Sequence, residues 1–283
     1  MSATIAILGA GTLGGALAHR LAQSGHARRV LLIDPAEGVA AGKALDINQA
    51  GPVEGFDTRV TSGRLDAVIG ATLVVLADPA ERPDADWTPE EASTLLEQVS
   101  GLVRRSPLVL AGAGHGPLVA RTVEQLELEA RRVVGSAPVA FASALRAIVA
   151  LETAVSPSQV AISVAGTPPA HTVIGWSHST AGGSLLEHAL SPPRFSRLRQ
   201  RAERLWPPGP YTLASAAVSL IGAMLTGSER TFSCFVAKPT GTRPAFEAPA
   251  VEVRVGPHGV VAEAPTTLSP REQVELERSR PAD

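Results

Sequence analysis

The chain of 283 residues has one cysteine, one tyrosine and two lysines, and nowhere do apolar residues run for the roughly 20 positions a membrane-spanning helix needs. Each scarcity excludes something. Cys234 alone cannot form an internal disulfide, so the fold must rest on its core, and a reducing, cytoplasmic setting is expected. Met1 and Ser2 lead straight into a β-type run with no basic flank, so neither a signal peptide nor a membrane partner is expected. A formal charge of −2 supplies no broad basic field, which argues against nucleic acid as a partner. Because Lys43 and Lys238 are the only lysines, positive charge is almost all arginine; together with 26 glycines and 23 prolines this reads as compositional bias and carries no function.

What is present is core material. At 45% hydrophobic residues the chain can bury a large interior, as one big domain or two modest ones. Apolar runs at Thr4–Leu8, Val30–Ile33, Thr58–Thr61, Leu73–Leu76, Leu108–Leu110 and Arg132–Val134 read as strands covered on both faces. Between them Leu13–Ser24, Glu37–Gln49, Pro89–Arg104 and Pro117–Glu129 carry a helical period. This alternation predicts parallel βαβ units. The second half changes to a mixed α+β pattern, with helices at about 138–153, 193–206 and 212–225 and strands at about 159–164, 171–176, 231–237, 248–254 and 258–263. In "LSPREQVELERS" the order Ser269, Pro270, Glu272 starts a last helix.

The first strand runs into "GAGTLG", residues 9–14, which opens a helix. Gly9 permits a tight turn, Gly11 lets backbone approach a pyrophosphate, and Gly14 lets helix and strand touch; the helix terminus favours negative charge. Asp34 follows Gly14 by 20 residues, at the end of the second strand in "VLLIDP". Its carboxylate can accept from both ribose hydroxyls and repel a 2′-phosphate, so NAD is expected over NADP. The alternative is a glycine turn that only packs.

The stretches "GAGTLGG", "LLIDPAEGVAAGKALDINQAGPVEGFDTRVT", "VVGSAPV", "GPYTLASAAVSLIGAMLTG" and "VEVRVGPHGVV" occur in that order, and with them the chain resembles the malate/lactate dehydrogenases, NAD-dependent 2-hydroxy-acid enzymes. The resemblance covers nearly the whole chain. It implies an N-terminal Rossmann domain with a doubly wound parallel sheet, residues 1–137, and a mixed α+β substrate-type domain, residues 138–283. It also implies NAD(H) as cofactor, held by Gly9, Gly11, Thr12, Leu13, Gly14, Asp34 and Ala77, and a homodimer or homotetramer. The helices at about 37–50 and 212–225 carry more apolar residues than a monomer's surface usually tolerates.

Hydride transfer from a 2-hydroxy acid needs a base at the hydroxyl and cations for the carboxylate. Position by position, the resemblance puts other residues there. Between Gly166 and Thr180-Ala181-Gly182, Pro168 falls at the family's catalytic histidine and Ala170 at the acid that follows it; His171 is three residues further on, as an exposed or packed side chain. In "VAFASALR", Phe141 replaces the orienting aspartate and Ala144 a substrate arginine, while Arg146 is retained. In "PAERPDADW", Glu81 and Trp87 take arginine positions, with Arg82 as a stand-in if the loop shifts. "GAGHGP" replaces the turn that touches nicotinamide and brings His115, for which Asp78 is a candidate partner.

Two functions follow from these departures. The first is a pseudoenzyme that binds NAD(H), has lost 2-hydroxy-acid chemistry and has a regulatory or binding role. The second is an oxidoreductase for a less acidic substrate, using a relocated group such as His115 in an apolar pocket of Phe141, Ala144 and Trp87. No catalytic residue is assigned. His171, His178 and His188 lack zinc-like spacing, so no metal is assigned either. Arg194, Arg197, Arg201 and Arg204 share a helix face, an anion patch or a solvated surface relieved by Glu203.

Overall fold

Six apolar runs form the parallel half of the sheet, as burial on both faces requires. The computed structural model describes residues 3–82, 85–103, 105–228, 230–241 and 245–278. Strands β1 (Thr4–Leu8), β2 (Arg29–Ile33), β3 (Arg59–Ser62), β4 (Leu73–Leu76), β5 (Leu108–Leu110) and β6 (Val133–Gly135) lie in the order 3-2-1-4-5-6, all pairs parallel. Helices α1 (Thr12–Ser24), α2 (Glu37–Glu54), α3 (Pro89–Leu102) and α4 (Gly116–Gln125) make the crossovers. Ile5, Ala6, Ile7 and Leu8 are fully buried, because helices cover both sides of the central strand. This is the doubly wound α/β fold, whose ligands sit outside the carboxyl ends of the strands where the order reverses.

The second half begins with α5 (Ala137–Thr153) and continues through β7 (Val160–Ala161), β8 (Val164–Thr167), β9 (His171–Ile174), β10 (Thr180–Ala181), β11 (Ser184–Leu185), α6 (Leu186–Ala189), α7 (Pro192–Ala202) and α8 (Pro210–Thr226). It ends with β12 (Thr231–Val236), β13 (Lys238–Thr240), β14 (Ala245–Glu247), β15 (Ala250–Gly256), β16 (Gly259–Glu263) and α9 (Pro270–Arg278). Strand β12 pairs antiparallel with β6, so that β12, β15, β16, β8 and β9 extend the parallel sheet into one of 11 strands. The junction is tight: a side chain at Gly135 would meet the Phe235 Cβ at 2.8 Å. A second core gathers Phe141, Leu145 and Val149 of α5 against Val160, Leu186 and Leu198.

Several elements differ from their sequence-based bounds for identifiable reasons. Helix α2 continues past Gln49 through Pro52, because a proline near a helix end forfeits only one hydrogen bond and Gly55, at φ +76°, supplies a left-handed cap whose N–H reaches the Gly51 carbonyl. The run expected at 159–164 splits, Val160–Ala161 pairing with β10 and Val164–Thr167 with β9. Helix α7 stops at Ala202, well before Pro207 and Pro208. Arg104, the expected end of α3, lies outside the described residues. The apolar content of α8 is used within the chain: Leu213, Leu220, Ile221 and Met224 are buried and the helix packs on α1 and α5. Helix α2 leaves Leu45 at 60% and Val53 at 88% exposure outside, and Leu151 of α5 and Tyr211 of α8 are exposed as well.

Candidate functional site

The glycine loop adopts the conformation its spacing predicts. Gly9 has φ +107°, and its N–H donates to the Ile33 carbonyl at 2.7 Å. A side chain at Gly14 would strike the Gly9 carbonyl, so strand and helix touch there. Ala77 lies fully buried beside them, its N–H donating to the Leu8 carbonyl at 2.8 Å. Leu13 is buried, and Thr12 borders a shallow groove with His19, Lys43 and Tyr211. Lys43 Nζ donates to the Gly11 carbonyl at 2.6 Å, a contact no motif foretells.

The loop's donors are already engaged. Asp78, directly after β4, accepts from Leu13 N–H through Oδ2 at 3.0 Å and from Gly14 N–H through Oδ1 at 2.8 Å. Its carbonyl accepts from Gly11 N–H at 2.9 Å, and its carboxylate fills the space where a Gly11 side chain would lie. Asp34 is equally committed: Oδ2 accepts from Ala10 and Ala80 N–H at 2.8 and 2.9 Å, and Oδ1 from Ala36 N–H at 2.8 Å. It is 4% exposed. The glycine framework therefore fits a dinucleotide, but the arrangement of Asp78 does not: a pyrophosphate needs the two amides this carboxylate holds.

A cavity of about 350 Å³ opens beside the loop, bordered by Leu13, Asp78, Asp86, Gly114 and Trp206. Among the described residues lining it none is basic. His115 stands behind its wall, buried. Gly112 N–H donates to His115 Nδ1 at 2.9 Å, so the neutral ring carries its proton on Nε2, which lies 3.4 Å from Asp86 Oδ1 without forming a hydrogen bond. Burial lowers the pKa of His115, while the charges of Asp86 and Asp78 work in the opposite direction. The ring is thus a neutral donor, not a free base. Its neighbour is Asp86, which also accepts from Gly114 N–H at 2.9 Å, whereas the expected partner Asp78 serves the glycine loop.

In the second half Pro168 sits in the turn between β8 and β9, followed by exposed Ala170 and His171. Phe141 does not line an apolar pocket: it is core, edge-on to Trp206 with ring centroids 5.7 Å apart. Glu81 is exposed, and Arg82 pairs with Glu91, so Arg82 is not free to replace a substrate arginine. Trp87 packs against the main core with no hydrogen-bond partner for Nε1 among the described residues. Arg146 is partly buried, with Glu252 as its opposing charge. Along α7, relief comes from Glu152 rather than Glu203, through Arg194 at 3.0 Å and Arg201 at 3.5 Å.

Comparison with known proteins agrees with this architecture. Residues 3–84 match the NAD-binding domain of lactate/malate dehydrogenase, which makes NAD the cofactor of this domain. A malate dehydrogenase of Thioalkalivibrio sulfidiphilus is 33% identical over 205 residues, covering 70% of this chain and 67% of the relative. One from Chlorobium phaeobacteroides is 28% identical over 300 residues, covering 97% and 94%. In fold the chain is similar to the lactate dehydrogenase of Cryptosporidium parvum in complex with lactic acid and NAD, with TM-score 0.86, 23% identity and coverage of 99% and 95%. The malate dehydrogenase of Salinibacter ruber gives TM-score 0.84 at 22% identity, covering 98% and 93%. The chain belongs to the lactate/malate dehydrogenase family.

Proposed function

We propose that this chain is an NAD(H)-binding member of its family that has lost 2-hydroxy-acid dehydrogenase activity and acts as a binding or regulatory protein. The observation that carries this reading is the charge of the cavity: Asp78 and Asp86 line it and no basic side chain among the described residues does, so the carboxylate of a hydroxy acid meets repulsion where it needs a clamp. Pro168 in the β8–β9 turn carries no proton, and Phe141 in the core offers no carboxylate to orient a base. Gly9, Gly11, Thr12, Leu13, Gly14, Asp34 and Ala77 form the cofactor side, within a cofactor domain ending at residue 137 and a substrate-type domain beginning at 138. The exposed Leu45 and Val53 on α2 support assembly into a homo-oligomer, for which light scattering of the purified protein is the check.

The test is NADH oxidation with oxaloacetate and with pyruvate. No turnover above the uncatalysed background is expected; a rate of about 1 s⁻¹ or more, ordinary for an enzyme, overturns the reading. A second reading is favoured by one observation. The buried Nε2–H of His115 has no hydrogen-bond partner among the described residues and stands beside Asp86 at the cavity; movement of the cavity wall would make it a donor for the carbonyl of an uncharged substrate. Neutral ketones, aldehydes and imines in the same assay separate the two.

A further inference from the structure

We propose that Asp78 is a built-in occupant of the cofactor's pyrophosphate position, and that NAD(H) enters only by displacing it. The inference rests on the reading that the glycine loop receives NAD(H). Helix α1 starts without an ordinary cap: Gly11 stands at the N-cap position and has no side chain to offer. Its first amides are satisfied instead from 65 and 64 residues away, each Asp78 oxygen taking one N–H, Leu13 at 3.0 Å and Gly14 at 2.8 Å. Two divergent anionic oxygens on two adjacent helix-terminal amides is the pattern a phosphate would make there.

Occupancy goes beyond the two hydrogen bonds. Gly11 lacks a side chain, and the room this leaves is taken by the Asp78 carboxylate rather than standing open. Asp78 is 3% exposed, so a second anion cannot be added alongside. Lys43, the cation that reaches the loop, donates to the Gly11 carbonyl and not to this carboxylate, so it does not offset the negative charge at the terminus by direct pairing. The like charges of a carboxylate and a pyrophosphate on the same amides repel, and the amides serve one of them at a time.

Displacement has somewhere to go. Asp78 borders the cavity of about 350 Å³, and rotation of its side chain into that space would free both amides without moving the strand. With the open arrangement populated at roughly 1–10%, the apparent affinity for NAD(H) falls about 10- to 100-fold below that of an open cradle. Asp78 would then set how strongly this member of the family holds its cofactor.

The test uses the full-length chain with Asp78→Ala, which removes the occupant, and Asp78→Asn, which keeps an oxygen at the helix terminus without the charge. NADH affinity is measured by calorimetry, and thermal shifts are recorded with inorganic pyrophosphate as probe. Expected are NADH binding at least about 10-fold tighter in Asp78→Ala, a smaller gain in Asp78→Asn, and pyrophosphate stabilisation of the variants but not of the parent. Equal NADH affinity in parent and variants overturns the proposal while leaving cofactor binding intact. If neither parent nor variants bind NADH, the cofactor reading fails, and pyrophosphate decides this proposal alone: a shift confined to the variants supports it, and no shift overturns it. Should Asp78→Ala not fold, Asp78→Asn carries the same comparisons.

Discussion

His115 Nε2 lies 3.4 Å from Asp86 Oδ1, yet burial outweighs that carboxylate and keeps the ring neutral. Its pKa is lowered from the ordinary 6.5, so below that pH the unfolded chain takes up a proton that the folded chain refuses. This contribution is complete above the unfolded value and is lost as pH falls from 6.5 toward the folded one. Urea unfolding between about pH 8 and pH 5 should show stability declining on the acid side by up to about 1.4 kcal/mol per pH unit for this one proton. His115→Asn, which can still accept from Gly112 N–H, should show a shallower decline; an unchanged slope would assign the titration to another group.

NAD(H) should stabilise the protein more than NADP(H), because Asp34 is held by three backbone amides at the end of β2 and cannot turn away from a 2′-phosphate. At a ligand concentration 100 times Kd the gain is about 2.7 kcal/mol, enough to raise Tm by a few degrees. Equal shifts from the two cofactors at equal concentration would contradict the role given to Asp34.

Restoring a single histidine should not restore activity. Pro168→His places an imidazole in the β8–β9 turn while Phe141 still stands where the family has its orienting carboxylate, and among the described residues lining the cavity there is still no cation. Oxaloacetate- or pyruvate-dependent oxidation of NADH by this variant should stay at background, and robust turnover would mean that the missing groups come from elsewhere in the chain. Phe141 resists the complementary change, since it is buried and stacked edge-on against Trp206. Phe141→Ala should cost about 3–5 kcal/mol in chemical denaturation, and Phe141→Asp, which buries a carboxylate among apolar neighbours, more.

Cys234 should be silent toward thiol reagents while the protein is folded. It is fully buried in β12, and burial, reinforced by the charge of Glu252, pushes its thiol well above the usual range, so almost no thiolate exists to react. Labelling followed by mass spectrometry should find it unmodified in native buffer and fully modified in denaturant. Rapid native labelling would mean that β12 opens locally.

The parallel half was legible because its strands are unbroken apolar runs; Thr4–Leu8, Leu73–Leu76 and Leu108–Leu110 have the expected bounds. Gly9 and Gly14 were legible because the backbone conformation and close approach there require glycine. Asp78 was visible as an acid after a strand, but its role depends on where α1 begins in space, 64 residues back in sequence. The same holds for Asp86, which meets His115 across 29 residues of chain with no spacing rule to connect them. The pairs β10–β11 and β13–β14 are two or three residues a side, too short for alternation to register.

The pairing of β12 with β6 carries a mechanical consequence. A fragment ending at residue 137 would present β6 as a bare edge, with Val134 and Gly135 offering the hydrogen-bonding groups that Val236 and Phe235 now satisfy. Such an edge invites association with any other extended chain. The glycine-loop half should therefore precipitate or self-associate when expressed alone, and in the intact protein the two halves should melt in one transition, because losing either unzips the seam that closes the other.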